Sequence, residues 1–286
     1  MQNLDFENTK IRSKYSIRIG DKLIDLSTPL VMGIVNVTPD SFYAESRSET
    51  TDKIISKVTQ MITEGVSIVD IGGYSTRPGA KDVSIEDEIN RITPAIQTIS
   101  KEFPDLLISI DTFRSEVADI ALTNGAHIIN DISGFEIDPK IIHVASKHNA
   151  PYILMHMRGT PQTMQTLTDY DNIFKDISYY FSSKIKQLHR AGVKDIILDP
   201  GFGFSKTLEQ NYHLLNNLEH FWILDKPILV GISRKSMIYS KLGIDISSIE
   251  TLQETIKLNT ISLEKGTHIL RVHDVKEASQ LITKSH

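Results

Sequence analysis

Short runs of β-branched and aliphatic residues alternate along this chain with longer stretches whose apolar positions recur every three or four residues. Eight of the short runs have the length and composition of buried parallel strands: 30–37, 66–71, 106–110, 127–130, 152–155, 195–198, 227–231 and 267–271. The stretches between them read as helices. In 50–64, Ile54, Ile55, Val58, Met61 and Ile62 fall at helical spacing, and 114–123 and 171–190 behave alike. Stop signals follow where expected, at Gly65, at Asn124-Gly125 and at Ala191-Gly192, because these residues end a helix in the left-handed region. Ahead of the first strand, residues 16–24 alternate around Gly20-Asp21, which predicts a small hairpin able to close the bottom of whatever follows.

Strand and helix alternating eight times predict an α/β protein, a single-domain (β/α)8 TIM barrel spanning 1–286 with 10–27 as an N-terminal β-hairpin extension. A doubly wound open sheet satisfies the same alternation and stays as the alternative.

In a barrel every strand's C-terminal end opens into one mouth. Here those ends are polar: Asn36 to Phe42 after the first strand, Gly72 to Gly79 after the second, then Asp111-Thr112-Phe113-Arg114, Asn130-Asp131, Met155-His156-Met157-Arg158, Asp199 to Phe204, Ser233-Arg234-Lys235-Ser236 and Arg271-Val272-His273-Asp274. Any one of them reads equally as a helix N-cap, but their coincidence at one end of every strand points to a site. Two sub-sites follow from residue chemistry. Ser233-Arg234-Lys235 and Arg271-Val272-His273 follow strands seven and eight, where barrels frequently hold phosphate. Alternation puts Arg271 and His273 on one face, so a forked cation and an imidazole can reach one anion; ion pairing with Asp274 or Asp199 is the competing assignment. Asp111, Asn130 and Asp199 project into the middle of the barrel, where unpaired polar groups are costly and a flat heterocycle rich in N–H donors would suit them. Asp131, one residue on, points the other way and is assigned a structural role. His156 follows a strand and is open to either face, while His143, His148 and His189 read as ordinary helix residues.

Composition narrows the chemistry. The absence of cysteine excludes disulfides, thiolate nucleophiles and cysteine-based metal sites. A net charge of −5 gives no general pull toward nucleic acid, and no run approaches the roughly 20 apolar residues a membrane span needs. The polar, acidic start carries no leader pattern, so a cytoplasmic location is expected.

Taken in order, the strings GIVNVTPDSF, IGGYSTRPGA, SIDTFR, IINDISG, LMHMRGTP, DPGFGF, ISRKS and LRVHD closely resemble the dihydropteroate synthase family, from Met32 to Asp274. That family couples 6-hydroxymethyl-7,8-dihydropterin diphosphate to p-aminobenzoate in folate biosynthesis, an alkyl-group transfer. The resemblance implies a pterin pocket of Asp111, Asn130, Asp199 and Lys235, with Met155 and Phe204 as apolar walls and Arg271 stacking on the ring. It implies Mg2+ as cofactor at Asn36, with Arg271 and His273 on the diphosphate, and thus Asp111, Lys235, Arg271 and His273 as the catalytic set. Two loops would bring Asp40, Phe42, Ser75, Thr76, Arg77 and Pro78 to the p-aminobenzoate and the departing diphosphate, with Ser236 near the benzoate carboxylate. Partners are then the two small-molecule substrates, with neither nucleic acid nor membrane, and a second copy in a homodimer through the last helices; 251–263 serves equally as barrel cover. Two departures stand out: Tyr74 occupies the place of a usual glutamate, and Tyr43-Ala44-Glu45-Ser46-Arg47 replaces a glycine-rich continuation. The rivals are a pterin barrel serving methyltetrahydrofolate and a corrinoid partner, which has no use for a diphosphate site, and a non-catalytic barrel kept for protein interaction.

Overall fold

A computed structural model describes residues 15–37, 47–74 and 82–284. Strands β1 (Ser16–Ile19) and β2 (Lys22–Asp25) form an antiparallel hairpin turning at Gly20 and Asp21. The chain then runs β3 (Leu30–Asn36), α1 (Arg47–Thr63), β4 (Ile68–Gly72), α2 (Ile85–Glu102), β5 (Leu107–Asp111), α3 (Ser115–Thr123), β6 (Ile128–Asp131), α4 (Ile141–His148) and β7 (Tyr152–Met155). It continues with α5 (Ile173–Arg190), β8 (Ile196–Asp199), α6 (Leu208–Asn216), β9 (Leu229–Val230), α7 (Ser236–Leu242), α8 (Ile249–Glu264), β10 (Ile269–Val272) and α9 (Val275–Lys284).

Strands β3 to β10 are all parallel, in the order β8-β7-β6-β5-β4-β3-β10-β9. A parallel bridge between Leu198 and Ile228 joins the two ends of that order and completes the ring. The eight strands expected from the sequence are therefore the eight barrel strands, and the open-sheet alternative falls. Bounds differ by a few residues; the seventh strand narrows most, to Leu229–Val230.

Strand alternation sorts the residues into two cores. Outward positions such as Val35, Val69, Ile108, Ile129, Leu154, Leu198 and Leu270 pack beneath the helices in one large cluster. Inward positions change character along the barrel axis. At the bottom, Met32, Ile68, Ile128, Ile153, Ile197, Leu229 and Ile269 fill the interior together with Ile17, Ile19 and Leu26 of the hairpin. The hairpin thus plugs the bottom as expected, and burying side chains such as Ile17 and Leu26, each 1% exposed, contributes about 1.5–3 kcal/mol apiece. Higher along the axis, the inward side chains of β4, β5, β6, β7, β8 and β10 become Asp70, Ser109, Asn130, Met155, Asp199 and Arg271. An apolar floor under a polar upper interior fixes the mouth as the place for chemistry.

Candidate active site

Register places the upper ring. Asp111 on β5 pairs with Asn130 on β6 and with Gly72 on β4, and Met155 on β7 pairs with Asp199 on β8. A Cβ at Gly72 would stand 3.5 Å from that of Asp111, so the glycine leaves the carboxylate open to the mouth. Across the barrel, Arg271 Nε donates to Asp70 Oδ2 at 2.6 Å and Nη2 to Asp111 Oδ2 at 2.7 Å. Asn130 Nδ2 donates to the same Asp70 oxygen at 3.0 Å. Asp70 Oδ1 and the neighbouring Ser109 Oγ are buried without a hydrogen-bond partner among the described residues.

The electrostatics follow from burial. Desolvation pushes the Asp111 carboxyl up to about 7; Arg271 opposes this and Asp70 reinforces it. The buried Asp70 and the half-buried Asp111, flanking one guanidinium, raise the Arg271 pKa against its own desolvation. Asp199 is likewise raised by burial, with Lys235, the Gly201 amide at 2.7 Å, Arg271 and Lys206 pulling it back. Burial lowers Lys235 to about 8, with Asp199 holding it up.

Lys235 reaches the mouth because its neighbour is pinned outside it. Arg234 takes a left-handed φ of +53° and its fork grips Asp274 at 2.9 and 2.8 Å. Of the ion pairing weighed for this region, the pair with Asp274 is made by Arg234, whereas Arg271 pairs with Asp70 and Asp111. Lys235 then donates to Phe202 O at 2.5 Å, its ammonium 4.6 Å from the Phe204 ring centre. Met155, Phe113, Ile132, Met157 and Met164, with Tyr74 and Phe204 against them, form an apolar cluster along one wall. Tyr74, in the place of the usual glutamate, sets its ring edge to face against Phe113 at 5.1 Å, with Arg114 5.1 Å above it.

Not every polar strand end serves the mouth. Thr112 and Arg114 both bind the buried Glu88 of α2, at 2.8 Å each. Asp131 is turned outward and buried, accepting from the Ser133 and Phe135 amides and from the Tyr152 hydroxyl, so its structural assignment holds. His156, open between faces in the sequence, is also directed outward, against Tyr180 and Phe181. His273 is exposed, and its amide donates to Ser233 Oγ at 3.1 Å. Ser236 begins α7 and is exposed. Asn36 ends β3 on the inward face shared with Met32 and Ile34. Asp40, Phe42, Ser75, Thr76, Arg77 and Pro78, and the departure at 43–46, lie outside the described residues.

Two site residues escaped the sequence reading. Asp70 had a signal: a charge at an inward position of the otherwise apolar IVDIG run. Lys206, buried behind the loop after β8, had none beyond its place following a glycine-rich turn.

A family profile described as pterin binding enzyme matches residues 32–273. The chain belongs to the dihydropteroate synthase family. It is 43% identical to dihydropteroate synthase of Escherichia coli K12 over 256 residues, 89% of each chain. Against the Synechocystis enzyme of that name it is 44% identical over 266 residues, 92% of this chain and 91% of the relative. The Yersinia pestis dihydropteroate synthase in complex with a sulfonamide drug superposes with a TM-score of 0.87 at 36% identity, covering 95% of this chain and all of that one. The Xanthomonas albilineans enzyme with 4-aminobenzoic acid gives 0.84 at 31%, covering 96% and 97%. The family is one of transferases of folate biosynthesis, and this chain is an enzyme of that class.

Proposed function

We propose that the mouth transfers a 7,8-dihydropterin-6-ylmethyl group from its diphosphate to p-aminobenzoate, with Asp111, Asn130, Asp199 and Lys235 on the pterin and Met155 and Phe204 against its faces. One observation carries the reading: carboxylates, an amide and two cations from separate strand ends share a single inward surface above an apolar floor. A dihydropterin offers N–H donors on one edge, which buried carboxylates accept.

Arg271 would turn its remaining Nη1 edge to the diphosphate and its flat face to the ring, joined by His273. The bond between the exocyclic methylene carbon and the diphosphate oxygen breaks with both electrons leaving on oxygen. Positive charge then spreads into the electron-rich ring, and ionised Asp111 stabilises it in a site of low dielectric. The amine nitrogen of p-aminobenzoate supplies the electron pair of the new carbon–nitrogen bond and gives up one of its protons to the departing diphosphate. Loop residues Asp40, Phe42, Ser75, Thr76, Arg77 and Pro78, with Ser236 toward the benzoate carboxylate, would close over the reactants and exclude water.

A Mg2+ shared with substrate and bound chiefly through phosphate oxygens would need few protein oxygens, here the Asn36 side-chain amide at the inward end of β3. Bound there, it would neutralise charge on the leaving diphosphate. The same reading treats 1–286 as one catalytic domain acting in the cytoplasm. It includes a homodimer through the last helices, for which Leu242, Ile246 and Ile249, 45%, 40% and 59% exposed, supply apolar surface. No described helix is long and apolar enough to cross a membrane.

Diphosphate release on mixing both substrates with Mg2+ tests the reaction. The Arg271→Ala variant tests the site: most turnover is expected to vanish while the protein stays folded, and wild-type turnover would refute the assignment.

A further inference from the structure

Lys206 lies in the connection between β8 and α6, and its side chain is buried, the whole residue 6% exposed. Its ammonium donates to Gly201 O at 3.0 Å and to Phe204 O at 2.9 Å. It also stands 3.1 Å from His156 Nδ1 and 3.4 Å from His156 O. Burial holds the His156 imidazole well below its usual pKa, so it meets Lys206 as the neutral ring. One buried lysine, its pKa lowered to about 7 by desolvation, therefore ties the loop after β8 to the loop after β7. The His156 end is anchored by packing of its ring against Tyr180 and Phe181 of α5.

The turn so gripped has no regular structure of its own. It reverses through φ values of +72° at Gly201, +80° at Gly203 and +46° at Ser205. A Cβ at Gly201 would come within 2.1 Å of His156 O, so only glycine permits this approach. The turn supplies the mouth with three features: the Gly201 amide on Asp199, the Phe202 carbonyl that accepts from Lys235, and the Phe204 ring beside that ammonium. Within the turn, Lys206 grips the carbonyls of Gly201 and Phe204, two of the residues that supply these features.

We propose that Lys206 is a positioning residue for the pterin pocket, clamping the 201–204 turn so that Asp199, Lys235 and Phe204 meet the ring as one fixed surface. The proposal rests on the assignment of those three residues to the pterin. A buried ammonium is seldom needed for stability, because an apolar side chain of similar volume often serves the fold as well; a clamp on substrate-binding geometry explains its presence.

The test is steady-state kinetics of Lys206→Met and Lys206→Arg, varying each substrate in turn, with thermal unfolding as the check on folding. Lys206→Met is expected to fold and to raise KM for the pterin diphosphate at least tenfold while KM for p-aminobenzoate stays within twofold. Lys206→Arg, which keeps the charge and several donors, is expected to recover part of that loss but to remain at least threefold above wild type. A folded Met variant with unchanged pterin KM, or one in which both KM values rise together, overturns the proposal. If the Met variant does not fold, the Arg variant decides by the same selectivity; failure of both to fold would assign Lys206 to the scaffold and overturn it. Asp199→Asn separates the two levels: an unchanged pterin KM there sinks the pocket assignment itself, whereas a raised one beside an unaffected Lys206→Met sinks only the clamp.

Discussion

Arg271 on β10 donates to Asp70 on β4 at 2.6 Å although the two strands are not neighbours, since β3 runs between them. The guanidinium spans the barrel interior, and its other nitrogen ends on Asp111 of β5. Removing the Asp70 charge while keeping its shape should therefore act at a distance. Asp70→Asn is expected to lower kcat/KM for the pterin diphosphate at least tenfold, about 1.4 kcal/mol of transition-state stabilisation. Because Asp70 helps raise the Asp111 pKa, the acid limb of the pH profile should also move to lower pH. An unmoved limb would show that the two carboxylates do not communicate.

Asp111 itself sets a pH dependence of opposite sign for stability and for activity. Its folded-state value, about 7, lies above the ordinary 3.8, so the folded protein holds a proton there that the unfolded chain has lost. Stability from this group is present below about 4 and declines as pH rises through 7. Asp111→Asn should unfold at higher denaturant than wild type at pH 8, by about 1–3 kcal/mol, and show no advantage at pH 4. In the free enzyme, kcat/KM should rise with ionisation of Asp111 around pH 7, and that limb should disappear in the variant.

Lys235 closes the profile from the other side. Its ammonium, lowered to about 8 by burial, loses its charge as pH rises past that value and with it the attraction to Asp199. Lys235→Arg stays protonated throughout, so its kcat/KM, though reduced by the altered reach, should no longer fall between pH 8 and 10. A retained alkaline limb would assign that titration to another group.

How far the sequence alone reached can be judged from individual side chains. The eight strands and the hairpin plug were legible because strand alternation and β-branched runs report burial directly, as Met32, Ile68 and Ile128 show. The inward Asp111, Asn130 and Asp199 followed from the same period of two. Asp70 was missed because a residue below the strand end was taken for core, and its partner lies two strands away, a pairing no local pattern encodes. His156 faced the opposite way from one of its two readings because a residue after a strand end obeys its loop, not the strand's alternation. Lys206 was invisible for a related reason: three of its four partner atoms are backbone carbonyls, which every sequence possesses.

The bottom plug offers a control that should leave chemistry untouched. Ile17→Ala removes buried methylenes from the cluster beneath the polar ring and is expected to cost about 2–4 kcal/mol in urea unfolding. Both KM values and kcat should remain at wild-type levels at temperatures where the variant is folded. A kinetic change would mean that packing at the floor is transmitted to the mouth.

That plug also imposes an order on biosynthesis. Ile17, Ile19 and Leu26 leave the ribosome before any barrel strand, yet one of the side chains they pack with, Ile269, belongs to β10, the last of the described strands. Until β10 has been made the nascent hairpin has no finished socket, so its apolar face must be shielded in the meantime by transient contacts or by a chaperone, and its seating belongs to the closing stage of barrel assembly.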